Sequence, residues 1–390
     1  MDIPNHGAAL RALSGASPTT VADTIAATAQ AAGAIDIVLY IVDFEQTVLV
    51  PIPSTSVHVE APVPEGVNGS MAGRAYTEQA AVSAPRGDGC RVWVPILEGS
   101  DRTGVLALTL EVPFGDEAQR WSEELGILAG VTIAAQARYT DLFNMLRRRK
   151  AMNLAASMQW DLLPPLGLSA SGVSSAALLE PAYEVGGDCF DHVVNGSDLD
   201  VAVMDAMGHG VRSSMVASLA VGTYRHDRRE GQSLAHMHEH IDQVVAEHLG
   251  DGIFMTGQLL RLNIKSGILT WVNAGHPAPL LLRDGRVVRA LECRPSLPWG
   301  LGSPLEELGS ESLQPHDSVL LYTDGVVEGR SADGEAFGLE RLVDLVERAA
   351  ATRQPTAEVL RRLVQEVLVH QDNRLRDDAT LVLFTWDGVP

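Results

Sequence analysis

Cysteine, lysine and long apolar runs are all scarce in this sequence of 390 residues. The three cysteines, Cys90, Cys189 and Cys293, are widely spaced and odd in number, which argues against a disulfide framework or a Cys-x-x-Cys zinc knuckle. The only lysines are Lys150 and Lys265. Because there is neither a signal peptide nor an apolar run of membrane-spanning length, we expect a cytoplasmic protein without a membrane partner.

Acidic residues outnumber basic ones by 50 to 29, and the formal net charge is −21. Proteins that contact nucleic-acid phosphates need clustered Lys and Arg, so this charge argues against a nucleic-acid partner. An apolar content of 46% with 20% charged residues is typical of a globular protein. The length allows two domains, each with its own core.

The first part of the chain, residues 1–116, alternates between helix and strand patterns. An Ala-rich helix is predicted over residues 21–32, because Thr19 or Thr20 can cap it. Strands are predicted at 35–42, 47–52, 91–96 and 104–110, and a short helix at 70–78. With the local motifs at 69–75, 93–96 and 104–106, this order resembles a GAF domain. The resemblance implies a module that senses a small molecule or dimerises. Cys90 could touch a cofactor there, but we interpret it as a packing residue.

Residues 117–164 have a helix-friendly composition that ends at Pro164 and Pro165. We predict one or two long helices here, forming a connector between two domains. The basic run at 147–150 is interpreted as a solvated turn of helix, with an acidic-partner site as the alternative. A helical connector would dimerise and transmit a signal, so a homodimer is expected. The predicted domains are therefore 1–116, 117–164 and 165–390.

Residues 165–390 combine hairpin-spaced strands with helices. Helices are predicted at 211–224, 233–248, 339–351 and 356–370. Strands are predicted at 188–194, 199–205, 255–264, 268–273, 279–282, 318–322 and 380–385. Hairpin-like spacing favours antiparallel sheets with helices outside them over a parallel, doubly wound sheet. The fold class is therefore α/β in the broad sense, of the α+β kind.

Two aspartates face each other across the first predicted hairpin of this region. If the loop at 195–198 closes symmetrically, Val194 lies opposite Leu199, and counting outward places Asp188 opposite Asp205. Like charges at such a position are destabilising. A shared proton or a divalent cation must neutralise them, and we interpret the pair as a metal site.

Two further acidic sites lie at predicted strand ends. Asp324 follows the strand at 318–322, with Gly325 opening a turn, and Asp377 and Asp378 precede the last strand. In neighbouring antiparallel strands the end of one lies beside the start of the other, so Asp324 and Asp377 can converge. A single Asp-Gly is more often only a turn. Four carboxylates without a cysteine ligand suit a hard cation, Mg²⁺ or Mn²⁺, and two such ions could activate water against a phosphoryl group.

Five ordered motifs carry a family resemblance, at 184–191, 205–210, 273–277, 322–325 and 377–380. Together they resemble the SpoIIE/RsbU branch of metal-dependent (PPM) Ser/Thr protein phosphatases, over about residues 165–387. The resemblance implies an α-β-β-α sandwich with two or more Mn²⁺ or Mg²⁺ ions. It also implies that metal-bound hydroxide hydrolyses phosphoserine or phosphothreonine on a partner, such as a phosphorylated anti-sigma-factor antagonist. A non-enzymatic docking module and a small-molecule phosphoesterase are the alternatives.

The resemblance assigns roles to particular residues. Asp188 and Asp205 belong to the metal cluster, with Asp205 as the bridge between ions, and Asp324 and Asp377 hold the other metal. The backbone carbonyl of Ala206 would be a further ligand, although relatives often have Gly at that position. The ligand survives this change if Ala can adopt the required backbone angle.

Several neighbouring polar residues have less specific patterns. Asp191 alternates to the face opposite Asp188, so we interpret it as structural. Asp378 is expected to point away from Asp377, but the pattern leaves open which of the two is the ligand. His209 is either a substrate-orienting or water-orienting residue or part of a tight turn before a helix.

Other histidines are given structural interpretations. Asn273 and His276 are expected to brace a loop beneath the site, with contact to phosphate as the alternative. His236 and His240 share a helix face at i,i+4, but the sequence offers no third ligand, so a zinc site is not predicted.

Overall fold

The structure is a computed structural model of the chain. It describes residues 6–56, 58, 61–111, 115–170, 172–181, 183–184, 186–249, 252–302, 304–352, 354–373, 375 and 377–388. Val185, within the first phosphatase-like motif, lies outside the described residues. The chain divides into two compact units, Met1–Ala151 and Met152–Pro390.

The first unit is built on one antiparallel sheet. Its elements are α1 (His6–Ser14), α2 (Val21–Ala31), β1 (Ala34–Val42), β2 (Val48–Pro51), β3 (Glu65–Gly66), α3 (Met71–Glu78), β4 (Val82–Arg86), β5 (Gly89–Glu98), β6 (Asp101–Leu110), α4 (Asp116–Ala137) and α5 (Leu142–Arg147). The strands follow the order β3-β2-β1-β6-β5-β4. Residues of α1, α2, α4 and α5 pack in one core, and α3 packs in a second core with the sheet. Cys90 is buried in the larger core, as expected of a packing residue.

Helix α3 shows why the stretch 69–75 has its sequence. Ser70 is the N-cap and accepts a hydrogen bond from the Gly73 amide, 2.8 Å away. A Cβ at Gly73 would lie 1.9 Å from the carbonyl oxygen of Val67. Only glycine therefore allows this helix to approach the preceding chain so closely.

The helix-friendly segment after residue 116 forms three helices instead of one or two long ones: α4, α5 and α6 (Leu154–Leu162). Trp121 and Leu125 of α4 are buried in the larger core of the first unit. Asn153 caps α6, which belongs to the second unit, by accepting a hydrogen bond from the Ala156 amide. A helix-rich composition does not reveal which core each helix packs on.

The basic run is only partly the solvated turn that the sequence predicted. Arg147 is half-buried, donates from Nε to the carbonyl of Val42 and lies 4.3 Å from the ring centroid of Phe44. Arg148 and Lys150 are exposed, and Lys150 pairs with Glu45 at 2.7 Å. Arg147 is half-buried because its aliphatic stem and planar guanidinium can stack on an aromatic ring.

The second unit contains two antiparallel sheets. After α6 its elements are β7 (Gly167–Ala170), β8 (Val173–Glu180), β9 (Asp188–Asn195), β10 (Asp198–Ala206), α7 (Val211–Arg229), α8 (Leu234–Leu249), β11 (Met255–Asn263), β12 (Ile268–Ala274), β13 (Leu280–Arg283), β14 (Arg286–Ala290), β15 (Gly309–Ser312), β16 (Ser318–Tyr322), α9 (Asp324–Glu328), α10 (Leu339–Ala350), α11 (Thr356–His370) and β17 (Ala379–Trp386). One sheet has the order β15-β12-β11-β10-β9, and the other β14-β13-β16-β17-β8-β7.

The two sheets face each other across a shared core, which includes Phe190, Trp271 and Phe384. Helices α7 and α8 cover the outer face of the five-stranded sheet. Helices α10 and α11 cover the outer face of the six-stranded sheet. The predicted α-β-β-α sandwich is therefore confirmed. Within the described residues, no helix is both long and apolar enough to cross a membrane.

Candidate active site

The hairpin β9–β10 has the register that the sequence predicted. Asn195 pairs with Asp198 and Val194 with Leu199, and the ladder continues until Asp188 stands opposite Asp205. The chain turns at Gly196, whose φ of 61° suits glycine. Two carboxylates thus meet at one end of the five-stranded sheet.

Asp188 is almost completely buried, with 1% of its surface exposed. Its Oδ2 accepts hydrogen bonds from the Thr323 hydroxyl at 2.7 Å and the Thr380 hydroxyl at 2.6 Å. Both threonines belong to the six-stranded sheet or its edge, so this one oxygen ties the two sheets together. Sequence reasoning missed both threonines. The only signal was their position next to the acidic motifs, and threonine is common in strands for other reasons.

Asp324 follows β16 and Asp377 precedes β17, and these two strands are antiparallel neighbours, as predicted. Tyr322 of β16 pairs with Leu381 of β17, so the end of one strand lies beside the start of the other. Asp324 is the first residue of the short helix α9, and the predicted turn at Gly325 is therefore wrong. A Cβ at Gly325 would lie 1.9 Å from the Asp378 carbonyl oxygen, so glycine serves close packing here and not a turn.

Asp377 and Asp378 have different surroundings. The Asp378 carboxylate accepts backbone hydrogen bonds from Gly186 at 2.6 and 2.8 Å, from Gly187 at 2.8 Å and from Asp188 at 3.2 Å. It thereby holds the glycine loop that leads into β9. Asp377 instead lines a pocket of about 250 Å³ together with Asp324 and other residues of α9 and its flanks, namely Gly325, Glu328, Gly329, Arg330 and Gln371.

These carboxylates repel one another strongly. Burial, together with the charges of Asp324, Asp377 and Asp378, raises the pKa of Asp205 to about 7. Burial, with the charges of Asp205 and Asp378, holds the pKa of Asp188 well above its usual value. Burial raises the pKa of Asp378 to about 6, although hydrogen bonds from backbone amides oppose this rise. Burial and the charge of Asp377 also raise the pKa of Asp324. The cluster is short of positive charge.

The surplus of carboxylate oxygens fits hard divalent cations. Mg²⁺ and Mn²⁺ prefer oxygen ligands, and a bound dication would offset the repulsion that raises these pKa values. Asp188, Asp205, Asp324 and Asp377 are the side chains that could hold such ions.

Ala206 follows Asp205 at the end of β10. It has a strand conformation and is not one of the residues with positive φ, so alanine adopts this backbone without strain. A Cβ at Gly187 would lie 2.1 Å from the Ala206 carbonyl oxygen. Glycine at 187 is therefore required for the carbonyl to occupy its position.

Several neighbouring residues are structural, as predicted. Asp191 is buried and pairs with Arg225 and with Arg228, the latter at 2.8 Å. The Asn273 side chain donates from Nδ2 to the His276 carbonyl at 2.9 Å and accepts at Oδ1 from the His276 amide at 2.8 Å, and so braces the loop. Burial lowers the pKa of His276 to about 4.

His209 lies on the turn between β10 and α7, flanked by Gly208 and Gly210 with φ of 90° and 85°. Its side chain is exposed. The structure therefore places His209 at the rim of the site, and the residue is not part of the buried cluster.

The four-layer sandwich and its edge of carboxylates define the class of this unit as a PP2C-type phosphatase fold. It resembles the SiaA-PP2C domain of Pseudomonas aeruginosa with a TM-score of 0.52 and 24% identity, covering 60% of this chain and 94% of that one. More narrowly, residues 195–387 match the family model described as Stage II sporulation protein E (SpoIIE). The match covers most of the second unit, which is thus a phosphatase domain similar to those of the SpoIIE family.

The sequence is also similar to named bacterial phosphatases. Phosphoserine phosphatase RsbU of Bacillus subtilis is 22% identical over 261 residues, which cover 66% of this chain and 76% of that protein. Phosphoserine phosphatase RsbP of the same species is 26% identical over 151 residues, or 37% of each chain. The RsbU and RsbW domains of Rv1364c from Mycobacterium tuberculosis have a TM-score of 0.50 and 27% identity, covering 56% of this chain and 63% of that one.

Proposed function

We propose that the second unit is a metal-dependent protein serine/threonine phosphatase that acts directly at phosphorus through activated water. The observation that carries this proposal is the convergence of Asp188, Asp205, Asp324 and Asp377 at one end of the two sheets. The pairing of Asp188 with Asp205 and of β16 with β17 supports it. Bound Mn²⁺ or Mg²⁺ would supply Lewis-acid activation of water and neutralise the phosphoryl group.

Each residue has a proposed task in this site. Asp205 would be the ligand shared between ions, and Asp188 and the Ala206 carbonyl would be the further ligands on its side of the cluster. Asp324 and Asp377 hold the side that faces the pocket. Asp378 is proposed as a positioning residue, because its carboxylate already accepts three backbone amides and fixes the loop before Asp188.

The proposed substrate is a phosphorylated signalling protein that resembles an anti-sigma-factor antagonist. Support comes from the relatives named phosphoserine phosphatase and from the open pocket beside Asp324 and Asp377. The arrangement also fits a small-molecule phosphoesterase, so the substrate class needs its own test.

That test compares phosphate release from phosphoserine and phosphothreonine proteins or peptides with release from nucleotides and sugar phosphates, at equal Mn²⁺. We expect kcat/KM at least tenfold higher for the phosphoprotein than for any small molecule. Preference for a sugar phosphate or a nucleotide would favour the phosphoesterase function. A protein that binds metal and a phosphorylated partner without turnover would favour the docking-module function.

The first unit is proposed to be a GAF-like sensor that regulates the phosphatase through the helical segment 117–164, in a cytoplasmic homodimer. Its six-stranded antiparallel sheet with helices on both faces supports this proposal. The sensor ligand is a small molecule or an activator protein.

A further inference from the structure

The helical hairpin α7–α8 carries a group of metal-binding side chains that the phosphatase chemistry does not use. Asp227 lies in the last turn of α7, and His236 and His240 lie one turn apart at the start of α8. One ligand atom from each of these side chains lies within 4.8 Å of the other two. The histidine pair was visible in the sequence, and the fold brings Asp227 close to it as a third possible ligand.

We propose that Asp227, His236 and His240 form a second metal site for a zinc-like divalent ion. Two imidazoles and one carboxylate are the donor set that Zn²⁺ accepts in a tetrahedral site, with water as the fourth ligand. The catalytic cluster, by contrast, offers oxygen alone and suits Mg²⁺ or Mn²⁺. The two sites therefore select different ions.

The geometry needs only small adjustments to bind an ion. His240 Nδ1 lies 2.9 and 3.0 Å from the two Asp227 carboxylate oxygens. Ligand atoms about 2.1 Å from a tetrahedral ion stand roughly 3.4 Å apart, so this pair would open by about 0.5 Å. The His236 ring lies 5.8 Å from the His240 ring, centroid to centroid, and its exposed side chain is free to rotate toward the ion.

Because Asp227 is buried, a bound cation would stabilise its carboxylate. The residue is only 2% exposed, and a buried carboxylate is costly unless positive charge or several donors compensate it. His240 is its hydrogen-bond partner in the described structure, and a neutral imidazole supplies one donor but no charge. A divalent ion held by all three side chains would supply the charge and join α7 to α8.

This site is distant from the catalytic cluster along α7. Asp227 lies 16 residues after Val211, so it stands roughly 24 Å along the helix axis from the end that follows Asp205. The ion would therefore bind apart from the catalytic cluster, where it would join α7 to α8, and the inference does not depend on the proposed phosphatase activity.

The test measures zinc and cobalt binding by the full-length protein after chelator treatment. Wild type is compared with His236→Ala and with His248→Ala, which removes an exposed histidine from the same helix. With Mg²⁺ in excess, we expect wild type and His248→Ala to retain one more Zn²⁺ per chain than His236→Ala. Only those two proteins should show the visible absorption of tetrahedral Co²⁺. Phosphate release should be equal in all three.

Equal zinc stoichiometry and equal cobalt spectra in wild type and His236→Ala would overturn the site and leave Asp227 and His240 as a simple hydrogen-bonded pair. The Asp205→Asn variant separates the two proposals. It should keep the cobalt spectrum while losing phosphatase activity. If it kept full activity, the proposed function would fail and the zinc site would stand.

Discussion

At the scale of single residues, the fold brings together carboxylates whose mutual repulsion destabilises the folded state. Asp205 faces Asp188 in the strand ladder, and the charges of Asp324, Asp377 and Asp378 act on it as well. The cost appears as a raised pKa and not as a distorted backbone. It is largest when no cation is bound.

Asp205→Asn should therefore stabilise the metal-free protein. The folded-state pKa of about 7 lies above the unfolded value near 4, so ionisation penalises the fold increasingly as pH rises between those values. At pH 8 we expect the free energy of unfolding to rise by about 1–3 kcal/mol in urea titrations with chelator. With saturating Mn²⁺ the order should reverse, because wild type binds the ion. A less stable metal-free variant would contradict this explanation.

His276 should make the phosphatase unit sensitive to acid. Its folded-state pKa of about 4 lies below the unfolded value of 6.5, because the buried ring is held neutral. Stability is therefore lost as pH falls from 6.5 to 4, by on the order of 3 kcal/mol. His276→Asn keeps a partner for the Thr256 hydroxyl, which lies 2.8 Å from His276 Nδ1.

The measurement for His276 is urea unfolding of the two proteins at several pH values. The variant should lose less stability between pH 6.5 and 4.5 than wild type, whatever its stability at pH 7. Parallel pH profiles would show that His276 does not contribute the acid sensitivity.

At the scale of elements, the two sheets meet through side chains that fix one oxygen of Asp188. Thr323 and Thr380 both donate to Oδ2, so neither of these bonds occupies Oδ1. A hydrogen bond to a charged group contributes about 1.5–3 kcal/mol, enough to hold one carboxylate orientation.

Thr380→Val removes one of these bonds and preserves shape. We expect kcat to fall about 10- to 100-fold, since each 1.4 kcal/mol of lost positioning costs a factor of ten. Thr380→Ser keeps the hydroxyl and should retain most of the activity. The comparison requires circular dichroism to show that both variants are folded. Equal rates for Val and Ser would show that the Thr380 hydroxyl does not position Asp188.

Elements with strong local patterns were predictable, and those that depend on distant partners were not. Strand β16 and helix α11 occur at the predicted residues. The stretch 173–180 is rich in Ser and Ala, which favour strands only weakly, and it becomes β8 because it pairs with β17. The opposition of Asp188 and Asp205 follows from counting along one hairpin, whereas the amides that bind Asp378 come from almost 200 residues away. Local periodicity cannot reveal such contacts.

At the scale of the whole molecule, the chain contains two units with separate cores. The predicted boundaries at 116 and 164 remain predictions, while compactness divides the chain between Ala151 and Met152. The second unit has three core clusters of its own. A fragment of residues 152–390 should therefore fold alone.

Regulation by the first unit predicts that this fragment and the full-length protein differ in activity. We expect their phosphate-release rates, or their affinities for Mn²⁺, to differ at least fivefold under some condition of temperature, salt or added cell extract. The fragment should still show cooperative unfolding. Identical rates and metal affinities under every condition would contradict a regulatory role for the first unit.

The most direct test of the central claim measures phosphate release from a phosphoserine substrate during titration with Mn²⁺. Wild type is compared with Asp205→Asn, Asp324→Asn and the control Asp284→Asn, which alters an exposed turn residue whose φ of 51° asparagine tolerates. We predict metal-dependent release by wild type and the control, and at least a 100-fold loss in the other two. Metal-independent release, or full activity in Asp205→Asn, would contradict a carboxylate-held metal centre as the site of hydrolysis.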